Sequence, residues 1–544
     1  MTFIKRFTHT LLLMNFVLGI TACGGGDATD KRVPTVIATQ PAEGTTGVLN
    51  NSVLSITFNV DMDPSTLTDT NFTVAGSKPV SGTLEYDAVT RTATFIPVVP
   101  LEPGIDHTIT LTTGITDVDG YALASVFVLR FTTETFIQRL SVDSVGLEAN
   151  SNSINPAISD DGRYVVFLSH ATNLVSGDTN ASTDIFKHDT QTGTTIRVSV
   201  DSNGSEADGN SDFFSSVSAD GRYVVFSSIA SNLVTEDTNS TYDVFMRDTQ
   251  IDATMRISVD SAGNQANDYS KSPAISADGR YVVFQSFASN LVTDDTNGVQ
   301  DIFRYDIQTS TTTRISVDST GNQANNSSGS PAISADGRYV VYESVASNLV
   351  IGDTNNYTDV FINDMETGIT KRVSVDSIGQ QANQISDTPA ISYDGRYVVF
   401  NSGSSNLVSD DTNGYNDIFL HDTQTSITKR VSVDSTGQEA NYNSYRPAIS
   451  ADGHYVVFES LATNLFTDDT NAAADIFRHN TQDGTTTRID YNLAEITIFK
   501  FGYYPAISAD GRYVVFQTSA TNLAPEGDTN LSSDIFRVLL NTVP

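Results

Sequence analysis

Seven copies of one short pattern, Asp-Thr-Asn-x-x-x-Asp, hold the chain's most regular supply of metal-grade oxygen. They place Asp178, Asn180 and Asp184; Asp237, Asn239 and Asp243; Asp295, Asn297 and Asp301; Asp353, Asn355 and Asp359; Asp411, Asn413 and Asp417; Asp469, Asn471 and Asp475; and Asp528, Asn530 and Asp534. Two carboxylates and an amide at i, i+2 and i+6 suit a hard cation such as calcium, which takes several oxygens at short alternate spacing. The bidentate Glu and the mid-loop Gly of an EF-hand are missing. The same residues also fold their own backbone into Asx turns, so the pattern reads either as a calcium loop or as a hydrogen-bonded turn.

A second set of residues varies between the copies. Phe213 and Phe214, Tyr269, Tyr442 and Tyr445, and Tyr503 and Tyr504 stand just before a recurring Pro-Ala-Ile-Ser strand. Aromatic faces there would stack on a sugar ring or a peptide, or else cover neighbouring loops. Catalytic signatures are few. The seven histidines show no His-Glu-x-x-His spacing, and no Gly-x-Ser-x-Gly elbow occurs. Acids that could pair for a glycosidase or lyase are abundant, yet they repeat alike, whereas an active site needs residues that differ between copies. The expectation is a binding protein rather than an enzyme, with a polysaccharide-acting enzyme as the alternative.

Both sets sit on a repeat. Asp-Gly pairs at Asp161, Asp220, Asp278, Asp336, Asp394, Asp452 and Asp510 are separated once by 59 residues and then five times by 58. A fixed period means one supersecondary unit copied and stacked. In the third copy, Pro273–Ser276 reads as a strand and Ala277-Asp278-Gly279 as a tight turn. Arg280–Phe284 is apolar on both faces, as a strand buried from two sides must be. Asp301–Asp306 is a third strand, and Thr312–Asp318, with alternating Arg314, Ile315, Ser316 and Val317, a fourth. A four-stranded meander that grows wetter toward one edge is a propeller blade. The first Arg-x-Ser-Val-Asp copy, 139–143, precedes the first Pro-Ala-Ile-Ser, and none follows Asp534–Leu540. The early strand is therefore predicted to complete the last of seven blades and remove the open edges. In such a ring the Asp-Thr-Asn loops and the blade-to-blade crossings project from the same face, a natural binding surface. The phrase Ser-Ala-Asp-Gly-Arg-Tyr-Val-Val-Phe resembles the WD40-like repeat of TolB-type propellers, with Ala or Asp where that family usually has Pro. The resemblance implies the fold, and a scaffold contacting envelope proteins as a further alternative.

Residues 34–134 are Thr/Val-rich with frequent turn signals. Leu54, Ile56, Phe58 and Val60 alternate with Val53, Ser55, Thr57 and Asn59, the pattern of a strand with one buried side. About seven such strands without helical period predict a β-sandwich. Pro41, Phe58, Met62, Asp63, Pro64, Phe95, Pro97, Asp117, Gly120 and Phe131-Thr132-Thr133 resemble the bacterial Ig-like domain of the SbsA type. That resemblance implies a spacer or adhesive module.

The N-terminus carries Lys5 and Arg6, an apolar stretch at 11–20, and Ile-Thr-Ala-Cys ending at Cys23. This resembles the lipobox of bacterial lipoproteins. It implies cleavage after residue 22, acylation of Cys23, a Gly-rich linker over 23–33, the Ig-like domain over 34–134 and the propeller over 135–544. Gly24, in place of Asp, implies the outer membrane, facing periplasm or cell surface. Acids outnumber bases 65 to 30, so the net charge of −35 repels nucleic acid. The reading is an all-β, lipid-anchored, non-enzymatic envelope protein. It binds an envelope protein or an extracellular glycan, and calcium is its only candidate cofactor.

Overall fold

The computed structural model describes residues 33–540, apart from 49, 51, 77, 100, 103–104, 134–136, 468, 470–472, 490–502, 521–522 and 524–526. Cys23 and Asn471 lie outside the described residues. The chain forms two compact units, Met1–Thr133 and Glu134–Pro544. Among the described residues the regular structure is all strand except for one 3-10 turn, Pro64–Thr66, which Asp63 caps by accepting the Ser65 N–H.

The first unit is a sandwich of a four-stranded and a five-stranded sheet. Its nine strands exceed the seven expected, because Thr45–Val48 and Pro79–Val80 are too short to show a period. The alternation in Leu54–Phe58 is realised: Leu54, Ile56 and Phe58 are fully buried, while Ser55 and Thr57 are partly exposed. Phe72, Phe95, Ile109, Leu111 and Phe131 reach the same core from the other strands. Burying each such side chain contributes roughly 1.5–3 kcal/mol.

The second unit is a ring of seven four-stranded sheets. In the third blade the order runs from Ser270–Ile275, innermost, through Tyr281–Ser286 and Asp301–Asp306 to Thr311–Arg314. The second strand is apolar on both faces because neighbouring blades cover each side. Val282 and Phe284 pack toward the preceding blade's Val244 and Met246, whereas Val283 packs toward the next blade's Val340 and Tyr342. The outer strand ends sooner than expected, at Arg314. Ser316 turns its hydroxyl inward onto the Asp301 carboxylate, and Val317 leaves the ladder to bridge Gln323.

Closure follows the predicted permutation with shifted bounds. The strand that completes the last blade is Ile137–Arg139, not 139–143, and it pairs with Asp534–Leu539. Leu140 adds one bond to Ile535 O, and Ser141 then turns its Oγ onto Asp534 Oδ1 at 2.6 Å. At the short-turn end, one residue per blade links the whole circle. The N–H groups of Asp160, Ala219, Ala277, Ala335, Tyr393, Ala451 and Ala509 each donate to the carbonyl of the next, and Ala509 donates back to Asp160. Seven backbone bonds of 3.0–3.3 Å thus close on themselves.

The glycine of each Asp-Gly-Arg turn has two reasons to be there. Gly221 has φ +71°, and a Cβ on it would lie 2.0 Å from the Tyr164 ring of the preceding blade. Around the corner, Arg163 grips Asp189 with Nε and Nη2 at 2.8 and 2.7 Å.

Candidate ligand face of the propeller

The Asp-Thr-Asn loops and the crossings do share a face, because they bond to each other. In the third blade Asn297 Nδ2 donates to Asp301 Oδ2 at 2.8 Å and to Ala324 O, in the crossing, at 3.0 Å. Its Oδ1 accepts the Val299 N–H, which closes an Asx turn. The equivalent bonds recur for Asn180, Asn239, Asn355 and Asn413.

Between the two carboxylates of the first six loops sits an arginine from the outer strand. Arg314 Nη1 lies 3.3 Å from Asp295 and 3.5 Å from Asp301. Arg197 stands likewise with Asp178 and Asp184, Arg256 with Asp237 and Asp243, and Arg372 with Asp353 and Asp359. Arg430 serves Asp411 and Asp417, and Arg488 serves Asp469 and Asp475. In the last blade Arg139, from the closing strand, meets Asp534 and Glu148, whose carboxylates gather with Asp528. These arginine side chains are at most 9% exposed. A guanidinium of the same chain thus stands beside each acidic pair, and the Asx-turn bonds of Asn180, Asn239, Asn297, Asn355 and Asn413 are formed. The carboxylates of Asp411, Asp417 and Glu439, and of Glu148, Asp528 and Asp534, also lie close enough together to share an ion.

Burial is the largest influence on the inner carboxyls. It pushes Asp184, Asp243, Asp301 and Asp359 above the usual range, Asp417 to about 6 and Asp534 to about 7, against the pull of their serine, asparagine and arginine donors. Sequence reasoning placed the aspartates but missed the arginine. The signal was the invariant Arg of Arg-x-Ser-Val-Asp, one per acidic pair.

The variable residues gather elsewhere, around the axial channel. A cavity of about 590 Å³ is ringed by the first strands of the seven blades, with Pro156, Pro273, Pro331, Pro389, Pro447 and Pro505 in its wall. The residue before each proline bulges with positive φ: Asn155 at 53°, Ser272 at 51°, Ser330 and Thr388 at 48°, Arg446 at 53° and Tyr504 at 42°. Such a conformation costs on the order of 1–3 kcal/mol for a residue other than glycine. It is held by the blade before it. Gln517 accepts the Asn155 N–H at 2.6 Å, Gln285 that of Ser330 at 3.0 Å, and Glu343 that of Thr388 at 3.0 Å. Burial pushes the Glu343 carboxyl up. The second blade differs. Ser215 replaces the proline, one residue is inserted (the 59-residue gap), and Phe214 stands at the mouth, 47% exposed. Sequence reasoning missed the polar partners, although the letters at the fifth position of the second strand, polar in six of the seven copies, carried the signal.

The expected aromatics divide. Phe214 and Tyr504 meet edge to face at 6.3 Å, and the Arg446 guanidinium lies 4.0 Å over the Tyr504 ring while bonding Glu459 at 2.7 Å. Tyr442 rests on Tyr415 at 4.6 Å, and Tyr269 on Phe287 at 4.9 Å. Tyr445 lines a separate cavity between the fifth and sixth blades. Tyr503 is a correction: it is 8% exposed and belongs to the core of the last blade, because the backbone turns at Tyr504, with φ 42°, and Tyr504 takes the channel side. The Phe213 side chain lies outside the described residues.

Residues 30–133 match the family described as bacterial Ig-like domain. No curated protein sequence matches the chain. Among solved structures, oligogalacturonate lyase from Vibrio parahaemolyticus is similar at 12% identity and TM-score 0.46, over 74% of this chain and 93% of that one. A putative TolB from Agrobacterium tumefaciens aligns at 14% identity and TM-score 0.34, over 52% of this chain and 80% of that one. TolB from Acinetobacter baumannii aligns at 16% identity and TM-score 0.33, over 66% of this chain and 79% of that one. The chain is an Ig-like β-sandwich followed by a seven-bladed β-propeller of four-stranded blades.

Proposed function

We propose that this protein is a non-enzymatic binding protein of the bacterial cell envelope, tethered through acylated Cys23, whose ligand docks at the channel mouth on the long-loop face. One observation carries the reading. The seven blades repeat almost letter for letter at the rim, yet the residues facing the channel differ in kind: Asn155, Phe214, Ser272, Ser330, Thr388, Arg446 and Tyr504. A ring that needed only to fold would have no use for that variety, whereas a recognition site does. The half-exposed Phe214 and Tyr442 are the natural contact residues.

The test is binding of the purified chain to isolated envelope fractions and to a glycan array. Phe214→Ser introduces the residue that the third and fourth blades carry there, and it should weaken binding at least tenfold, as should Tyr442→Ala. Turnover of a glycan or peptide that is lost in Glu343→Gln would replace this reading with an enzymatic one. The tether has its own test: Cys23→Ser should move the protein from the membrane to the soluble fraction, and retention in the membrane would refute acylation.

A further inference from the structure

The fifth blade departs from most of its copies at two positions beside one cavity. After the second strand, His170, Ile229, Phe287, Val345 and Leu461 fill a position that in this blade is Gly403. A Cβ on Gly403 would lie 2.8 Å from Asn416 Oδ1 and 3.2 Å from Gln384 Oε1, so the space a larger residue fills elsewhere holds amide oxygens here. The strand position occupied by Gln285, Glu343, Glu459 or Gln517 in four other blades, and by Leu168 and Ser227 in the first two, is Asn401, one methylene shorter than Gln or Glu. Beside them lies a cavity of about 410 Å³ lined by Asp387, Thr388, Asn401, Asn416, Tyr445 and Arg446.

Its polar groups are built but incompletely used. Asn401 is 6% exposed. Its Nδ2 donates to Asp387 Oδ1 at 2.6 Å, which fixes the amide's orientation and leaves Oδ1 as a buried acceptor without a partner. A buried acceptor left unmade costs on the order of 1–3 kcal/mol, a penalty that a hydroxyl donor from a ligand would remove. Asp387 adds a carboxylate acceptor, Asn416 an amide, and Arg446 donors beyond the one held by Glu459. Asp387 opposes an anion and Arg446 opposes a cation, so a charged group is disfavoured in either sense. Planar acceptors and donors beside the tyrosine of the lining suit a ring that carries hydroxyls on its edge and C–H groups on its face.

We propose that the cavity between the fifth and sixth blades binds a neutral sugar unit. This rests on the long-loop face being the ligand face and names what one part of it recognises. The test is titration of the full chain with the methyl glycosides of glucose, galactose, mannose and N-acetylglucosamine and their β-1,4 disaccharides, with methyl galacturonide as the charged control, read by calorimetry and by saturation-transfer NMR. At least one should bind. Gly403→Val puts in the side chain that the fourth blade carries, pressing on the lining Asn416 amide, and it should weaken that binding at least tenfold. Asp387→Ala should weaken it by a similar factor, while Val345→Ala, the same position one blade away, should leave it unchanged. The inference is overturned by silence from every glycoside at millimolar concentration, by binding indifferent to Gly403→Val, or by preference for galacturonate over galactose. Silence here combined with envelope binding that Phe214→Ser still abolishes would sink the sugar site alone. Loss of both would sink the ligand face as well.

Discussion

The rim and the mouth of the propeller are built from the same seven repeats and obey opposite rules. At the rim, an aspartate pair, an asparagine and an arginine recur in every blade's sequence, the asparagine bonds repeat in the first five blades, and an arginine stands between the aspartate pair in the first six. At the mouth, position for position, the blades carry an amide, a phenylalanine, hydroxyls, an arginine and a tyrosine. Uniformity marks what every wedge needs in order to stack, and variety marks what one ligand needs in order to be recognised. Abundant acids therefore point away from the site, while a single misfit residue points toward it.

That contrast breaks most sharply on charge. Arg372→Met would leave Asp353 and Asp359 buried without their cation. Removing one partner of a buried pair costs about 3–5 kcal/mol. Urea unfolding should show a loss of that order, and a loss below ~1 kcal/mol would demote the clusters from structural members to decoration.

The next effect is on pH. His188, His421 and His479 occupy one repeat position, and each ring bonds a threonine hydroxyl at 2.9 Å. Burial, the dominant cause, lowers each to about 4 from 6.5. A histidine depressed in the folded state resists protonation there, so its stability is full above pH 6.5 and is lost as pH falls toward 4. The cost is at most about 1.4 kcal/mol per pH unit for each ring. The fourth blade uses Asn363 at this position with the same 2.9 Å bond to Thr370. Changing all three histidines to asparagine should therefore flatten the melting temperature between pH 6.5 and 4; an unchanged slope would mean that other groups set it.

At the mouth, stability should hardly respond. Phe214→Ser is expected to stay within about 0.5 kcal/mol of the parent in unfolding, as surface changes usually do, even as binding falls. A large destabilisation would make Phe214 part of the packing and blur the division between rim and mouth. Smallest of all is the response to calcium. With a guanidinium in each acidic cluster, millimolar calcium or a chelator should leave the melting temperature where it was, and a rise with calcium would restore the metal reading of the Asp-Thr-Asn loops.

Much of this architecture was legible in the letters. The 58-residue period, the doubly apolar second strand and the displaced Arg-x-Ser-Val-Asp copy together predicted seven blades and their closure. The alternation at 53–60 marked a one-sided strand. Chemistry was less legible. The carboxylates of Asp295 and Asp301 look the same in sequence whether calcium or Arg314 sits between them, because Arg314 arrives from a strand thirteen residues further on, past a hairpin. Tyr503 and Tyr504 look alike as letters, and only the backbone bulge before Pro505 sends one inward and the other to the channel. Gly403 reads as a loop glycine until the space beside it is seen.

The sequence by itself determined the wedge, its number and its turn chemistry, since these depend on local periodicity and on residues such as the Asp-Gly pairs that act within a few positions. Only the tertiary structure decided which charges are neutralised, which side chains face the axis and where an acceptor is left unpaired. Those outcomes depend on groups from different blades meeting at hydrogen-bond distance, and no spacing within one repeat encodes that meeting.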